Sequence, residues 1–339
     1  MFWELFVRNR SYAAVMENSA CILSHQSALN FWLRTDRGSR GAPQLASSTP
    51  QPALAGSRPQ TLDFFDSDPR IDEPVHLLTC NKGSARPSDN FIYHYNERRF
   101  SPRDFYRIAD GLYVCAPWLA LVQSCTVLSE AKAAQAAMNL CGLYFFEPFN
   151  NELPKRKKLL TSASDLEESI SQHSRLNGSA RALWAVRHIA DESRSPEETN
   201  SMLVTCLPLR LGGYGMRYPN MNYVILPDRR RAQLMGQNYF EGDLCWPDAK
   251  VVVEYHGREH LSDMVHDERR RTDLQALGWT MHVLWWEMLS DGDKFDQFAR
   301  KLARDLGRRV RLPDDWREKN LQLRRELGLS RMLGGVPTY

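Results

Sequence analysis

The sequence predicts an α+β protein of two domains, in which a small α+β domain precedes a mixed β-sheet flanked by helices. Its 339 residues suffice for two modest domains that each bury a core. Residues 35–62 are rich in Gly, Ser, Pro, Gln and Ala, which is typical of a flexible linker. From Ser195 onward the predicted elements run α, β, β, β, α, β, α, and this order favours a mixed sheet with helices packed on it.

These patterns divide the chain into six segments. We expect an N-terminal helical segment at 1–34, a linker at 35–62, an α+β domain at 63–150, a linker and helix at 151–178, the main domain at 179–310 and a C-terminal helical tail at 311–339.

Alternating apolar residues and helix-forming residues define the elements of the first domain. Asp110-Gly111 is a turn signal inside the stretch 105–114, so that stretch is predicted to form two short strands. The remaining predictions are strands at 73–80 and 91–95 and helices at 117–128 and 129–143.

Helix-start signals place two helices before the main sheet. Ser164 with Glu167 three residues later predicts the start of an acidic helix within 162–173. Ser195 is predicted to cap the next helix, with Pro196 at its first position and two glutamates in its first turn. Further predictions are strands at 223–226 and 279–285 and helices at 261–277, 293–306 and 316–327.

The stretch Phe240–His260 carries the strongest chemical pattern. It reads as two strands joined at Asp248-Ala249, and a two-residue turn there places Asp243 directly opposite Glu254. Facing carboxylates destabilise a sheet unless a cation lies between them. His256 is two residues beyond Glu254 and therefore shares its face. This pattern predicts a divalent metal held by oxygen ligands, with a proton-transfer group beside it.

Composition restricts the compartment and says less about partners. The net charge is only +3, and the arginine and lysine clusters are more often solvated faces than binding sites. The seven cysteines include no CxxC pair, which favours reduced thiols. The N-terminal sequence lacks a signal-peptide pattern and no apolar run approaches membrane-spanning length. We therefore expect a cytoplasmic protein without a membrane partner.

Five short motifs occur in a fixed order and carry a family resemblance. They are SPEET (195–199), DLCWPD (243–248), VEYHGREH (253–260), DERRR (267–271) and LGW (277–279). In this order they resemble the domain of unknown function 559, in the Vsr-like branch of the PD-(D/E)XK nucleases, over residues 180–300. Residues 73–145, with LSHQSAL before them, are similar to AbiEi-type antitoxins of abortive-infection systems. Such proteins begin with a DNA-binding winged helix, and from the sequence we expect it to be missing or eroded in this chain.

The resemblance implies a restriction-endonuclease-like fold and a Mg²⁺- or Mn²⁺-dependent endonuclease that hydrolyses DNA. By position, Glu198 corresponds to the helix carboxylate, Asp243 to the central metal ligand and Glu254 to the second ligand. The superfamily has lysine two residues after the second acid, and this branch usually has aspartate. His256 stands there in this chain, so the general base stays open between His256 and His260.

Two further groups complete the predicted site. Asp267 matches the acidic position of the following helix and is expected to support the site. The arginines of that helix are expected to contact DNA phosphates; they are Arg269, Arg270 and Arg271.

The same residues leave other functions open, because a fold does not establish an activity. One alternative is a non-catalytic DNA-binding regulator or antitoxin-like protein that retains a nuclease-like fold. Another is a subunit that binds a protein partner in a defence, toxin–antitoxin or mobile-element system. Strandedness and sequence preference of the DNA are not encoded in any recognisable pattern.

Overall fold

The computed structural model describes residues 20–38, 42–50, 68–79, 90–96, 98, 100–147, 153–257 and 264–329. Within these ranges the chain forms two units. The first extends to Leu128 and includes Tyr144–Trp184, whereas the second includes Ser129–Leu143 and continues from Ala185. Both units contain a mixed sheet and helices, which confirms the α+β class.

The first unit is built on a six-stranded sheet in the order β2-β5-β6-β1-β3-β4. Its strands are β1 Cys21–Leu23, β2 Gln44–Leu45, β3 Val75–Thr79, β4 Phe91–Tyr95, β5 Phe105–Ala109 and β6 Leu112–Cys115. Helices α1 His25–Leu33, α2 Pro117–Ser124 and α4 Ala163–Gln172 belong to the same unit, and α5 Ser179–Val186 ends in the second unit. The predicted strands β3 to β6 are confirmed, with ends that shift by one or two residues.

Two short strands differ from the sequence expectation for the N-terminal region. Cys21–Leu23 was grouped with a helical segment, yet it forms a buried strand between β6 and β3. A three-residue apolar run has no periodicity, so only its neighbours decide its state. Gln44–Leu45 lies in the predicted linker, but it pairs with β5 and Ala46 after it is buried. Residues 1–19 and 51–62 of these segments lie outside the described residues.

Three histidines of the first unit gather on one side of its sheet. The His94 ring stacks on His25 with centroids 3.4 Å apart and on His76 at 5.0 Å. His76 Nδ1 and His94 Nε2 share a hydrogen bond of 2.9 Å. Burial, followed by the nearby His76, lowers the pKa of His94 to about 4, and burial also lowers the pKa of His76. Burial, followed by His94 and His76, lowers the pKa of His25 to about 2.

The second unit is built on a four-stranded sheet in the order β10-β9-β8-β7. β7 Asn220–Ile225, β8 Phe240–Trp246 and β9 Val251–His256 are successively antiparallel, and β10 Thr280–Trp285 returns parallel to β9. The helices are α3 Glu130–Leu140, α6 Pro196–Cys206, α7 Arg229–Met235, α8 Met264–Ala276, α9 Trp286–Ser290, α10 Gly292–Asp305 and α11 Trp316–Glu326. The predicted α-β-β-β-α-β-α order is therefore observed, with two added helices, α7 and α9.

Helix α7 separates β7 from β8 where the sequence suggested only an arginine-rich turn. The Asp228 side chain caps its first turn by accepting a hydrogen bond from the Arg231 N–H at 2.9 Å. Gly236 ends it with φ of +68°, in the left-handed region that glycine adopts without steric cost. Met235 packs in the hydrophobic core of this unit. This contact could not be predicted from the sequence, because charged residues dominate the segment.

Three further details differ from the sequence expectation. The acidic helix α4 is capped by Ser162 with Asp165, two residues earlier than the predicted Ser164 and Glu167. Helix α3 was assigned to the first domain but belongs to the second unit. The predicted C-terminal tail contains α11, whose Trp316 is buried and donates its indole N–H to the Gly213 carbonyl at 2.9 Å. That helix is part of the second unit's packing.

Candidate functional site

The hairpin β8–β9 has the predicted pairing register through a different turn. Leu244 pairs with Val253 and Trp246 with Val251, so Asp243 and Glu254 are next in the same register. The connection is a 3-10 turn at Pro247–Ala249 followed by Lys250 with φ of +50°. The prediction of a two-residue turn was wrong. The predicted turn and the longer observed turn are nevertheless both centred on the Asp248–Ala249 bond, so they give the same paired residues in β8 and β9.

Glu198 reaches this hairpin from the first turn of α6. Ser195 caps the helix as predicted, because its Oγ accepts the Glu198 N–H at 3.1 Å and also bonds Glu198 Oε1 at 3.2 Å. Glu198 Oε2 accepts the Arg194 backbone N–H and the Asn222 side-chain amide, both at 2.9 Å. The carboxylate is therefore held by three donors and is only 7% exposed.

The three predicted acids form an electrostatically coupled cluster. Burial, followed by the charge of Asp243, raises the pKa of Glu198 to about 7 and that of Glu254 to about 8. Burial also raises the pKa of Asp243, whose Oδ2 accepts the Tyr255 backbone N–H at 2.7 Å. Removing carboxylates from water and placing them side by side both favour the protonated form. The sequence prediction that these acids gather at one place agrees with this coupling.

Two arginines lie against the acidic cluster. Arg270 Nη2 donates to Glu254 Oε1 at 2.5 Å and also bonds the Glu241 carbonyl oxygen. Arg194 Nη2 donates to Glu241 Oε1 at 2.6 Å. These cations offset the repulsion among the acids, which is the compensation that the facing carboxylates required.

The other predicted arginines have different surroundings. Arg269 Nη2 donates to the Met235 carbonyl at 3.0 Å. Arg271 is more exposed and lies 3.6 Å from Glu268 on its own helix. Arg270 is thus distinguished from its two neighbours by its bond to a carboxylate of the cluster.

Of the two candidate general bases, the structure describes only His256. His256 lies on β9 as predicted, with its Nδ1 3.5 Å from Asp267 Oδ2 and its ring against the edge of Trp285. Asp267 is therefore positioned to orient the imidazole. His260 lies outside the described residues, so the choice between the two histidines stays open.

Close packing beside Asp243 depends on Gly242. A Cβ atom at this position would lie 2.3 Å from Val252 Cγ2 and 2.6 Å from Cys245 Sγ. Both neighbours belong to the hydrophobic core of the sheet and cannot move away freely. The glycine thus allows β8 to pass close to β9 at the acidic site.

Sequence reasoning missed Asn222, Arg194 and Glu241. Asn222 has φ of +48° and donates to the Glu192 carbonyl at 2.8 Å as well as to Glu198. Asparagine is depleted in strands and enriched in the left-handed region, so an Asn inside β7 was an available signal. Arg194 and Glu241 had no comparable signal, because an isolated charge looks like any solvated residue.

The donor atoms of this cluster suit a metal ion, but the arrangement of its side chains is not that of a formed metal site. Carboxyl oxygens from three elements are the donors that a hard divalent cation prefers. Among the described residues, however, no three His, Cys, Asp or Glu side chains are arranged as a formed metal site. In the observed arrangement Glu254 Oε1 accepts a hydrogen bond from Arg270 Nη2 at 2.5 Å.

Comparisons with known proteins add no relative. No family model, curated protein or solved structure matches this chain. The family resemblance therefore stays a prediction that depends on the motifs and on the geometry of the site.

Proposed function

We propose that the second unit is a metal-dependent endodeoxyribonuclease of the Vsr-like PD-(D/E)XK type. The observation that carries the proposal is the coupled cluster of the buried Glu198 and Glu254 with the half-buried Asp243, drawn from a helix and two strands. A protein has little reason to bury three mutually repelling carboxylates for stability alone, because desolvation and repulsion both oppose folding. Strongly perturbed acids of this kind concentrate at functional sites.

The surrounding architecture supports the same proposal. A helix that delivers a capped glutamate, an antiparallel three-stranded meander and a parallel return strand are the arrangement expected for a restriction-endonuclease-like sheet. In this proposal Asp243 and Glu254 would hold Mg²⁺ or Mn²⁺ with a contribution from Glu198, and the ion would supply Lewis-acid activation of the phosphodiester and of water.

The chain's own residues supply the remaining steps of the proposed reaction. His256 or His260 accepts the proton of the attacking water, and Asp267 orients the His256 ring. Arg271, with its exposed guanidinium, is the arginine of the DERRR motif best placed to meet a DNA phosphate. The first unit, with its AbiEi-like pattern, is proposed to bind a protein partner or DNA in a defence or toxin–antitoxin setting.

A cleavage assay with isosteric variants tests this function. Purified protein is incubated with plasmid and with single-stranded DNA in Mg²⁺ or Mn²⁺, beside Asp243→Asn and Glu254→Gln. Asp293→Asn is the matched control, because Asp293 is an exposed acid of the same unit that pairs with Arg317. Cleavage by the wild type and the control, but by neither site variant, is the expected result. Equal behaviour of all four proteins would refute nuclease activity.

The second candidate is a DNA-binding regulator that retains the nuclease-like fold without catalysis. It is favoured by the Arg270–Glu254 pair, which neutralises a site carboxylate without any metal. This function predicts DNA binding that chelators leave unchanged and that both site variants retain. A gel-shift assay with EDTA separates the two candidates.

No helix in the described ranges combines the length and apolar character needed to cross a lipid bilayer. A cytoplasmic location stays a prediction.

A further inference from the structure

The charges at the acidic site do not balance without Arg270. The buried carboxylates of Glu198 and Glu254 and the half-buried Asp243 face two arginines. The Arg194 guanidinium is committed to Glu241 at 2.6 Å, and Glu241 is outside this trio. Arg194 reaches the trio through its backbone N–H, which bonds Glu198, whereas Arg270 bonds it through its guanidinium, with Nη2 2.5 Å from Glu254 Oε1. The Arg270 side chain is 21% exposed and that of Glu254 is 12% exposed, so solvent screens this pair only weakly.

A guanidinium and a metal ion compete for this carboxylate oxygen. Magnesium binds carboxylates at about 2.0–2.1 Å and demands near-octahedral geometry. The Arg270 nitrogen occupies the approach to Glu254 Oε1, and the same nitrogen is also held by the Glu241 carbonyl. A metal that uses this oxygen must therefore displace Arg270, because two cations at adjacent positions repel one another.

The structure provides space for the displaced side chain. Arg270 also lines a cleft of about 110 Å³ between the end of α7 and α8, together with Met235, Gly236, Gln237, Arg269 and Asp273. Arg269 also lines this cleft, so a released Arg270 guanidinium would place two arginine side chains at one opening. Paired guanidinium groups are suited to a phosphate oxygen pair.

From these contacts we infer that Arg270 is a resident counter-ion of the metal-free site, which the metal displaces and which then moves toward the substrate phosphate. This inference rests on the proposed function and adds a regulatory step to it. Arg270 and the metal bind Glu254 in a mutually exclusive way, so loss of Arg270 strengthens metal binding. The released arginine couples metal loading to phosphate binding, because each event favours the same position of the side chain.

Metal affinity of an Arg270 variant tests the inference without any cleavage. Binding of Mn²⁺ alone is measured by electron paramagnetic resonance of the free ion, above the Glu254 pKa of about 8 so that the acids are ionised. Arg270→Gln is expected to bind Mn²⁺ about tenfold more tightly than the wild type, which corresponds to removing a competitor worth roughly 1.4 kcal/mol. Arg300→Gln is the matched control, because Arg300 forms an exposed pair with Asp296 one helical turn away.

A second variant covers the case in which Arg270→Gln does not fold. Arg270→Lys keeps the charge but not the forked geometry, so its Mn²⁺ affinity is expected between those of wild type and Arg270→Gln. Unchanged or weaker Mn²⁺ binding by the soluble variants would overturn the inference. Binding by none of the proteins would also overturn it, and the cleavage assay with Asp243→Asn then decides separately whether the nuclease proposal survives.

Discussion

Replacing Asp243 with asparagine should stabilise the metal-free protein at alkaline pH. At alkaline pH the charge of Asp243 lies beside two buried glutamates, and it is the second cause, after burial, of the raised pKa of each. Asparagine removes its charge and retains an oxygen for the Tyr255 N–H that Asp243 now accepts. The substitution therefore relieves repulsion without leaving a buried donor unsatisfied.

The size of the effect follows from the pKa values. Glu198 rises from 4.5 to about 7 and Glu254 from 4.5 to about 8. At about 1.4 kcal/mol per pKa unit, the complete shifts correspond to at most roughly 3–5 kcal/mol per glutamate. Burial is the larger cause, and Asp243 also attracts Arg270 and Arg194. A net stabilisation of about 1–2 kcal/mol is therefore expected when all three acids are ionised.

The pH dependence has a definite sign. The folded protein holds protons on Glu198 and Glu254 more tightly than the unfolded chain, in which their pKa is 4.5. The contribution of these two protonated glutamates to stability is therefore greatest below pH 4.5 and is lost as the pH rises toward about 8. Asp243→Asn removes one cause of the raised pKa values of the two glutamates. It should therefore lower the pH at which this loss of stability ends and make the loss smaller.

This difference is measured by urea unfolding, which is followed by tryptophan fluorescence. One measurement is made at a pH between the unfolded-state and folded-state pKa values of the glutamates, and one at a pH above both. Asp293→Asn is again the control, and its exposed ion pair predicts little change at either pH. The reasoning is refuted if Asp243→Asn is the less stable protein at alkaline pH, or if its stability falls with pH as steeply as that of the wild type.

Three further outcomes follow from local geometry. Gly242→Ala should lower the free energy of unfolding by about 1–3 kcal/mol through overpacking, and equal midpoints in urea would contradict this. Ser195→Ala should cost about 1 kcal/mol by loss of the cap and should also reduce cleavage, since the cap holds Glu198; Ser195→Thr, which keeps the hydroxyl, is the control. Because burial lowers the pKa of His94 and His25, stability of the first unit should fall as pH drops from 6.5 toward 4. His94→Phe should make acid unfolding, followed by circular dichroism, less steep, and an unchanged slope would argue against the histidine stack as the cause.

Local signals determined much of this protein from the sequence alone. Val251–Val253 are β-branched and flanked by turn residues, and Ser195-Pro196 is a helix start that depends only on adjacent atoms. The register of β8 on β9 was also encoded locally, because the centre of a hairpin fixes which residues pair whatever the turn type, and the observed pairs end at Leu244 and Val253, one position before Asp243 and Glu254. These features were predicted correctly since each depends on residues close in the chain.

Tertiary structure decided the features that depend on distant partners. The strand state of Cys21–Leu23 comes from the strands on either side of it, and the helix at Arg229–Met235 depends on burial of Met235 in a remote core. The site itself shows the same division. Sequence identified the acids, but only the fold places Arg270, sixteen residues beyond Glu254, against its carboxylate. Side-chain charge is visible in a sequence, whereas the charge that neutralises it is chosen by packing in three dimensions.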